Sequence, residues 1–246
     1  MKFDDLKKLQ QKKYREASGY FLVEGEHLVL ELQKAAECNA RLQACELYVT
    51  KPHGHWRSPF TTHVISTRQM AQIAETKAPQ GIVALVPLLP VAPARNNERS
   101  IYLHEIQDPG NLGTILRTLA WFGNFRCLLS PGSVDPHNSK VVRASMGAIF
   151  HVPIEIDVTL DSLPTRFKGI ACLDTQGESL QSSAFGTFDC YLFGNEARGV
   201  PREQLGAFAT QSFMISSGKN SVHSRIESLN LASAVNICVY ELSRHG

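Results

Sequence analysis

SIYLHEIQDPGNLGTILRT (100–118) sets the reading of the fold. Its apolar start, SIYLHEI (100–106), has the length and composition of a buried strand. Pro109-Gly110 then turns the chain, and a helical pattern begins near Asn111 or Leu112, with Asn111 a good residue to cap it. Strand, tight turn and helix make half of a βαβ unit. Working outward, FRCLLS (125–130), VPIEIDV (152–158), GIACLDT (169–175), FDCYLF (188–193) and SFMIS (212–216) alternate with helical stretches. A strongly apolar helix over about 228–243 closes the chain. Alternation of this kind predicts a mostly parallel sheet covered by helices.

Upstream, LLPVAPARNNER (88–99) has the proline, small and charged residues of a linker. It divides the chain into residues 1–96 and 97–246. The first part reads as a small α/β unit. A helix is expected over Asp4–Glu16, a strand at YFLVEG (20–25) and a second helix over Glu26–Glu37. Strands at LYVT (47–50) and HVIS (63–66), a short helix at Thr67–Glu75 and a strand at GIVALV (81–86) follow. The first 15 residues hold Lys2, Lys7, Lys8, Lys12, Lys13 and Arg15 against Asp4 and Asp5. That pattern suits a solvated amphipathic helix or a phosphate-facing patch, and both readings stay open.

Composition bounds the function. The chain has 246 residues, 43% hydrophobic and 20% charged, with a net charge of +2. That excludes a disordered, collagen-like or disulfide-scaffold protein. GIVALVPLLPVAP (81–93), among the longest apolar runs, is broken by proline and too short to span a membrane. The six cysteines are scattered without C-x-x-C, which reads as a reduced, cytoplasmic protein. No H-E-x-x-H occurs, His53 and His55 merely flank Gly54 in a loop, and no metal site is expected.

Several nucleotide signatures are absent. There is no G-x-G, so the dinucleotide fingerprint fails. Gly194 and Gly199 have the spacing of a phosphate-binding loop, but Val200-Pro201 follow where Lys and Ser/Thr would be needed. Three polar segments remain. DPGNLGTILRT (108–118) carries Asn111 and Arg117. LFGNEARGVP (192–201) leaves a buried strand with Asn195 and Glu196 at its carboxyl end, where ligands bind in open α/β sheets. RIESLNLASAVNICVYEL (225–242) sets Ser228 and Asn230 before the last helix.

Taken together, in this order, NLGTILRT, LFGNEARG and ESLNLA resemble the three motifs of the SpoU family of RNA ribose 2′-O-methyltransferases, within the SPOUT superfamily. The resemblance covers roughly residues 100–242. It implies a sheet with a deep trefoil knot whose loops hold S-adenosylmethionine, and a homodimer with the active site completed across the interface. The first part of the chain is similar to the ribosomal-protein-like RNA-binding module that often precedes this domain. Arg117, Asn111, Glu196, Ser228 and Asn230 fall on the family's functional polar positions. Leu192, Gly194, Ile215 and Leu229 are expected to line the cofactor, largely through backbone groups. Arg117 is the implied activator of the hydroxyl, as a base or, preferably, by holding phosphate and polarising the hydroxyl. Asn111, Ser228 and Asn230 would orient phosphate and ribose, and Glu196 would position Arg117 or Asn111. The family usually has a proline in the strand before the third motif, which FMISSG (213–218) lacks, and fewer residues than KNSVHSRIE (219–227). Ribosomal RNA is the expected substrate. A transfer RNA ribose methyltransferase and a catalytically silent RNA-binding relative are the alternatives. Methylation of a base nitrogen is disfavoured by the Asn111 and Arg117 pair.

Overall fold

The computed structural model describes residues 1–206, 208–216 and 228–244. The stretch 219–227 and His223 within it lie outside the described residues. The chain forms two compact units. One comprises residues 1–90 together with 135–151, the other residues 91–134 together with 152–246.

In the first unit, α1 (Phe3–Lys8) and α2 (Lys12–Ser18) replace the single helix expected over 4–16. The break at Leu9–Gln11 is held from within: the Arg15 guanidinium donates to the Leu9 carbonyl at 2.7 Å. Then come β1 (Tyr20–Glu24), α3 (Glu26–Cys38), β2 (Glu46–Thr50), β3 (Thr61–Ile65), α4 (Thr67–Ile73) and β4 (Ile82–Pro87). They build a four-stranded sheet in the order β1-β4-β2-β3. β3 runs parallel to β2, with Thr50 opposite Ile65, and β4 runs antiparallel to both β1 and β2. Ser66 and Gln69 form a reciprocal cap that starts α4 sharply. Leu6, Leu9, Met70 and Ile73 pack over Tyr48, Val83 and Leu85 of the sheet. Each such fully buried side chain contributes about 1.5–3 kcal/mol. The segment 135–151 carries a short helix, α6 (Ser139–Ala144), whose Val141 and Val142 are buried. Asp135 pairs with the buried Arg15, Nε lying 3.1 Å from Oδ2.

The second unit opens with β5 (Arg99–Leu103), α5 (Pro109–Phe122) and β6 (Phe125–Leu129). It continues after α6 with β7 (Ile154–Glu155), α7 (Leu163–Arg166), β8 (Ile170–Ser179), β9 (Cys190–Phe193), α8 (Arg202–Leu205), β10 (Thr210–Met214) and α9 (Leu231–Ser243). The six strands run in the order β10-β8-β9-β5-β6-β7, and every paired strand is parallel. β5, β6 and β9 are almost wholly buried, as strands of a parallel sheet covered on both faces must be. The strand expected over 152–158 shrinks to two residues. Glu155 turns its carboxylate to Arg126 and Arg166, and Asp157 takes a left-handed conformation that ends the pairing.

Two features prepare the sheet's carboxyl edge. Between Ser212 and Phe213 of β10 the register on β8 jumps from Cys172 to Glu178. Gly177 permits it, since a Cβ there would overlap the Ser212 carbonyl. Helices α5 and α9 lie together, joined by a hydrogen bond of 2.6 Å from Thr118 to Asn236.

Candidate functional site

The site gathers at the carboxyl ends of β5 and β9, which are hydrogen-bonded neighbours with Leu103 opposite Phe193. The turn after β5 brings in α5. Asp108, not Asn111, caps this helix: its Oδ1 accepts the Asn111 N–H at 2.7 Å, and Pro109 occupies the first helical position. Asp108 therefore leaves the Asn111 side chain free. That carboxamide donates to Glu196 Oε1 at 3.3 Å and accepts at 3.0 Å from the Asn230 Nδ2. Asn230, not Ser228, caps α9, its Oδ1 accepting from the Ser233 N–H at 3.3 Å. Three residues from three distant segments thus form one hydrogen-bonded row, Glu196–Asn111–Asn230. The Gln107 backbone N–H also donates to Glu196, at 3.3 Å.

The loop carrying Glu196 is tied down by its own neighbours. Asn195 is buried, donates to the Glu105 carbonyl at 2.8 Å, and accepts the N–H groups of Ala197 and Arg198. Its backbone bonds Gly199 in both directions. The loop closes so tightly that a Cβ on Gly194 would overlap the Gly199 carbonyl. Glu105 sits at φ 49° and pairs with Arg198. At the end of β5, burial pushes the His104 pKa down, favouring a neutral ring.

Beside this loop lies a cleft of about 450 Å³, lined by Asp174, Arg198, Gly199, Val200, Pro201 and Arg202, with Asp174 paired to Arg202 at 2.6 Å. Asp174 stands where the β8 register jumps. Leu192 has its side chain in the core of the sheet, so only its backbone can face a ligand. Ile215 follows β10 half-buried, and Leu229 is half exposed just before α9. Arg117 is exposed on α5, six residues and about 9 Å along the axis from Asn111. Among the described residues no hydrogen bond or ion pair holds it, and none joins Ser228 to the row. Asp108 and Asp174 do not stand out from sequence as site residues, and Asn195 stands out only as a polar group at the strand end, not as the residue that ties the loop. The Asp-Pro pair at 108–109 is itself a helix-start signal, and Asn195 adjoins Glu196. Asp174 has no local signature. Among the described residues, no group of three His, Cys, Asp or Glu side chains could hold a metal. No described helix is long and apolar enough to cross a membrane.

A parallel sheet with a carboxamide–carboxylate row at its strand ends, beside a glycine-closed loop and an open cleft, defines an α/β enzyme that binds a small cofactor at the sheet's carboxyl edge. The chain belongs to the SpoU rRNA methylase family, whose pattern matches residues 98–240. Residues 2–84 match the MRM3-like substrate binding domain. The chain is 29% identical to the 23S rRNA (guanosine(2553)-2′-O)-methyltransferase RlmP of Bacillus subtilis, over 98% of its own length and 95% of the relative's. Among solved structures, a putative RNA methyltransferase of the TrmH family from Porphyromonas gingivalis superposes with a TM-score of 0.82. It is 28% identical, over 99% of this chain and 97% of that one. An AdoMet-bound rRNA methyltransferase from Sinorhizobium meliloti gives 0.77 at 26% identity, over 99% and 94%.

Proposed function

We propose that this chain transfers a methyl group from S-adenosylmethionine to a ribose 2′-hydroxyl of ribosomal RNA. The observation that carries this is the Glu196–Asn111–Asn230 row, in which residues of all three motifs meet at one strand edge. Relatives named for the same reaction and cofactor support it.

The residues present suit the cofactor. The glycine-closed loop at 194–199 and the neighbouring cleft offer backbone groups that a side chain at Gly194 would block. Leu192, Gly194, Ile215 and Leu229 would hold it there. Bound S-adenosylmethionine supplies an electrophilic methyl on its sulfonium. The remaining work is positioning, which can lower such a barrier by up to about 7–11 kcal/mol. Asn111 and Asn230, their carboxamides fixed by each other and by Glu196, present donors and acceptors to ribose and phosphate, with Ser228 alongside. Arg117 would hold phosphate and polarise the 2′-hydroxyl, whose proton passes to solvent as the oxygen–methyl bond forms and the sulfur–methyl bond breaks.

Arg117 is exposed and not hydrogen-bonded to the row, and this favours a homodimer. Four residues on, in the same face of α5, Trp121 is 84% exposed. Phe122 meets Tyr240 of α9 edge-on, and Ile237 lies one turn before Tyr240. An exposed aromatic face of this kind is a self-association surface, and a second copy docked on it would complete the site with its own Arg117. We also read the sheet order, with β9 between β8 and β5 and β10 outside β8, as the trefoil-knotted arrangement. The first unit binds substrate RNA, and the setting is the cytoplasm, where the six free cysteines stay reduced. Ribose methylation mapped across cellular RNA with and without the protein tests the proposal. Loss of one 2′-O-methyl mark in ribosomal RNA is expected. Loss of a transfer RNA mark instead, loss of a base methyl, or no loss would overturn it.

A further inference from the structure

The first unit holds a stretch that the proposed chemistry does not use. From Leu47 to Ala74 there is no aspartate or glutamate, yet the stretch contains Lys51, Arg57, Arg68 and three histidines. Lys51, His55, Arg57 and Arg68 are exposed, and among the described residues none has an ion-pair partner. The basic residues at the N-terminus differ. Lys7 pairs with Asp4, Lys8 with Asp5 and Lys12 with Glu16, while Arg15 is buried against Asp135. The phosphate-facing patch left open at 2–15 is therefore largely neutralised by its own neighbours.

Topology brings two of these cations, Lys51 and Arg68, to one end of the sheet. Lys51 leaves β2 directly after Thr50, whose parallel partner on β3 is Ile65. Arg68 follows Ile65 by three residues, in the first turn of α4, at the same end of adjacent strands. The loop between them is held at two points. His53 Nε2 lies 2.9 Å from Glu26 Oε1. One carboxamide, Gln33, accepts from the Trp56 indole at 3.1 Å and donates to the Arg57 carbonyl at 3.0 Å. A loop tied in this way presents Lys51, His55 and Arg57 without a large ordering cost on binding.

We infer that Lys51 and Arg68, at one end of the sheet, and Arg57 on the loop that leaves that end are the cations by which the first unit grips the phosphate backbone of its RNA. This rests on the reading of that unit as the substrate-binding part. Cations without ion-pair partners suit a polyanion, and each phosphate contact contributes about 0.7–0.9 to the slope of log affinity against log salt.

The test uses the full-length protein and a ribosomal RNA transcript. Affinity is measured across a salt series for Lys51→Ala/Arg57→Ala/Arg68→Ala and for Lys7→Ala/Lys8→Ala/Lys13→Ala, with thermal melts confirming that both variants fold. The first variant should flatten the salt slope by about 2–3 and raise KM for RNA, leaving kcat at saturating RNA near the parent value. The second should change the slope by less than one contact. If the second variant alone flattens the slope, the face is misplaced but the unit still binds RNA. If neither does, the substrate-binding reading itself fails. A loss confined to binding of a ribosomal protein, with the RNA slope intact, would also overturn the assignment.

Discussion

In the proposed mechanism Arg117 and Asn111 divide the work at the site, and that division has a kinetic signature. Arg117 is exposed on α5 and, among the described residues, has no hydrogen bond to the 194–199 loop or to the row. Arg117→Ala should therefore lower kcat by at least about 10²–10³-fold while S-adenosylmethionine affinity, measured by calorimetry with a chelator present, stays within a few-fold. A loss of cofactor binding as large as the loss of rate would assign the arginine to the wrong step. At this scale the sequence was legible in part. Asn111, Glu196 and Asn230 stood out because each follows a strand or precedes a helix in a recognisable pattern. That Asp108 and Asn230 do the capping, leaving the Asn111 side chain free, could not be read from spacing, since Asn111 and Ser228 are equally good caps in isolation. Asp174 was invisible for a different reason. It matters only because β8 and β10 slip against each other there, and a register jump is a property of two strands.

Among the elements, α2 illustrates what local pattern omits. Residues 4–16 read as one helix because charged and apolar residues continue with helical spacing through Lys12. The chain breaks because Arg15 finds a better arrangement, donating to the Leu9 carbonyl and pairing with Asp135. Burial alone would raise the Asp135 pKa, but hydrogen bonds from His137 and Arg15 outweigh it and hold the carboxyl well below the usual range. The unfolded chain therefore binds this proton more readily than the folded one. The stabilisation is present above the unfolded value of about 3.9 and fades as pH falls toward the lower folded value. Asp135→Asn should cost about 3–5 kcal/mol at pH 7, because it leaves a buried guanidinium unpaired. Denaturant titrations of both proteins should show the gap narrowing below about pH 4. A gap unchanged at pH 3 would mean the pair does not titrate with unfolding. The strand expected over 152–158 failed by similar logic. Its alternation was sound, but Glu155 is drawn into the Arg126 and Arg166 pairs.

For the whole molecule, the exposed Trp121 face is the surface on which the proposed homodimer rests. Trp121→Asp should convert a dimer to a monomer by light scattering and abolish methyl transfer without unfolding the sheet, since the side chain is 84% exposed. A wild-type protein that is already monomeric, or a variant that stays dimeric and active, would remove the homodimer from the account. The parallel sheet was legible at this scale from buried runs such as FRCLL, while the membership of 135–151 in the first unit was not. An amphipathic α6 does not say which sheet it covers. That membership has a consequence for synthesis. Arg15 and Asp135 are 120 residues apart in the chain. At a translation rate of about 5–20 residues per second, Arg15 waits on the order of 6–24 s for its partner to be made. For that interval the nascent first unit lacks the helix that buries Val141 and Val142, and part of its surface stays uncovered outside the ribosome. The protein cannot mature strictly from its beginning to its end. Its first-made part is completed only after synthesis of the second unit has begun, and a chaperone that shields nascent chains has its opportunity there.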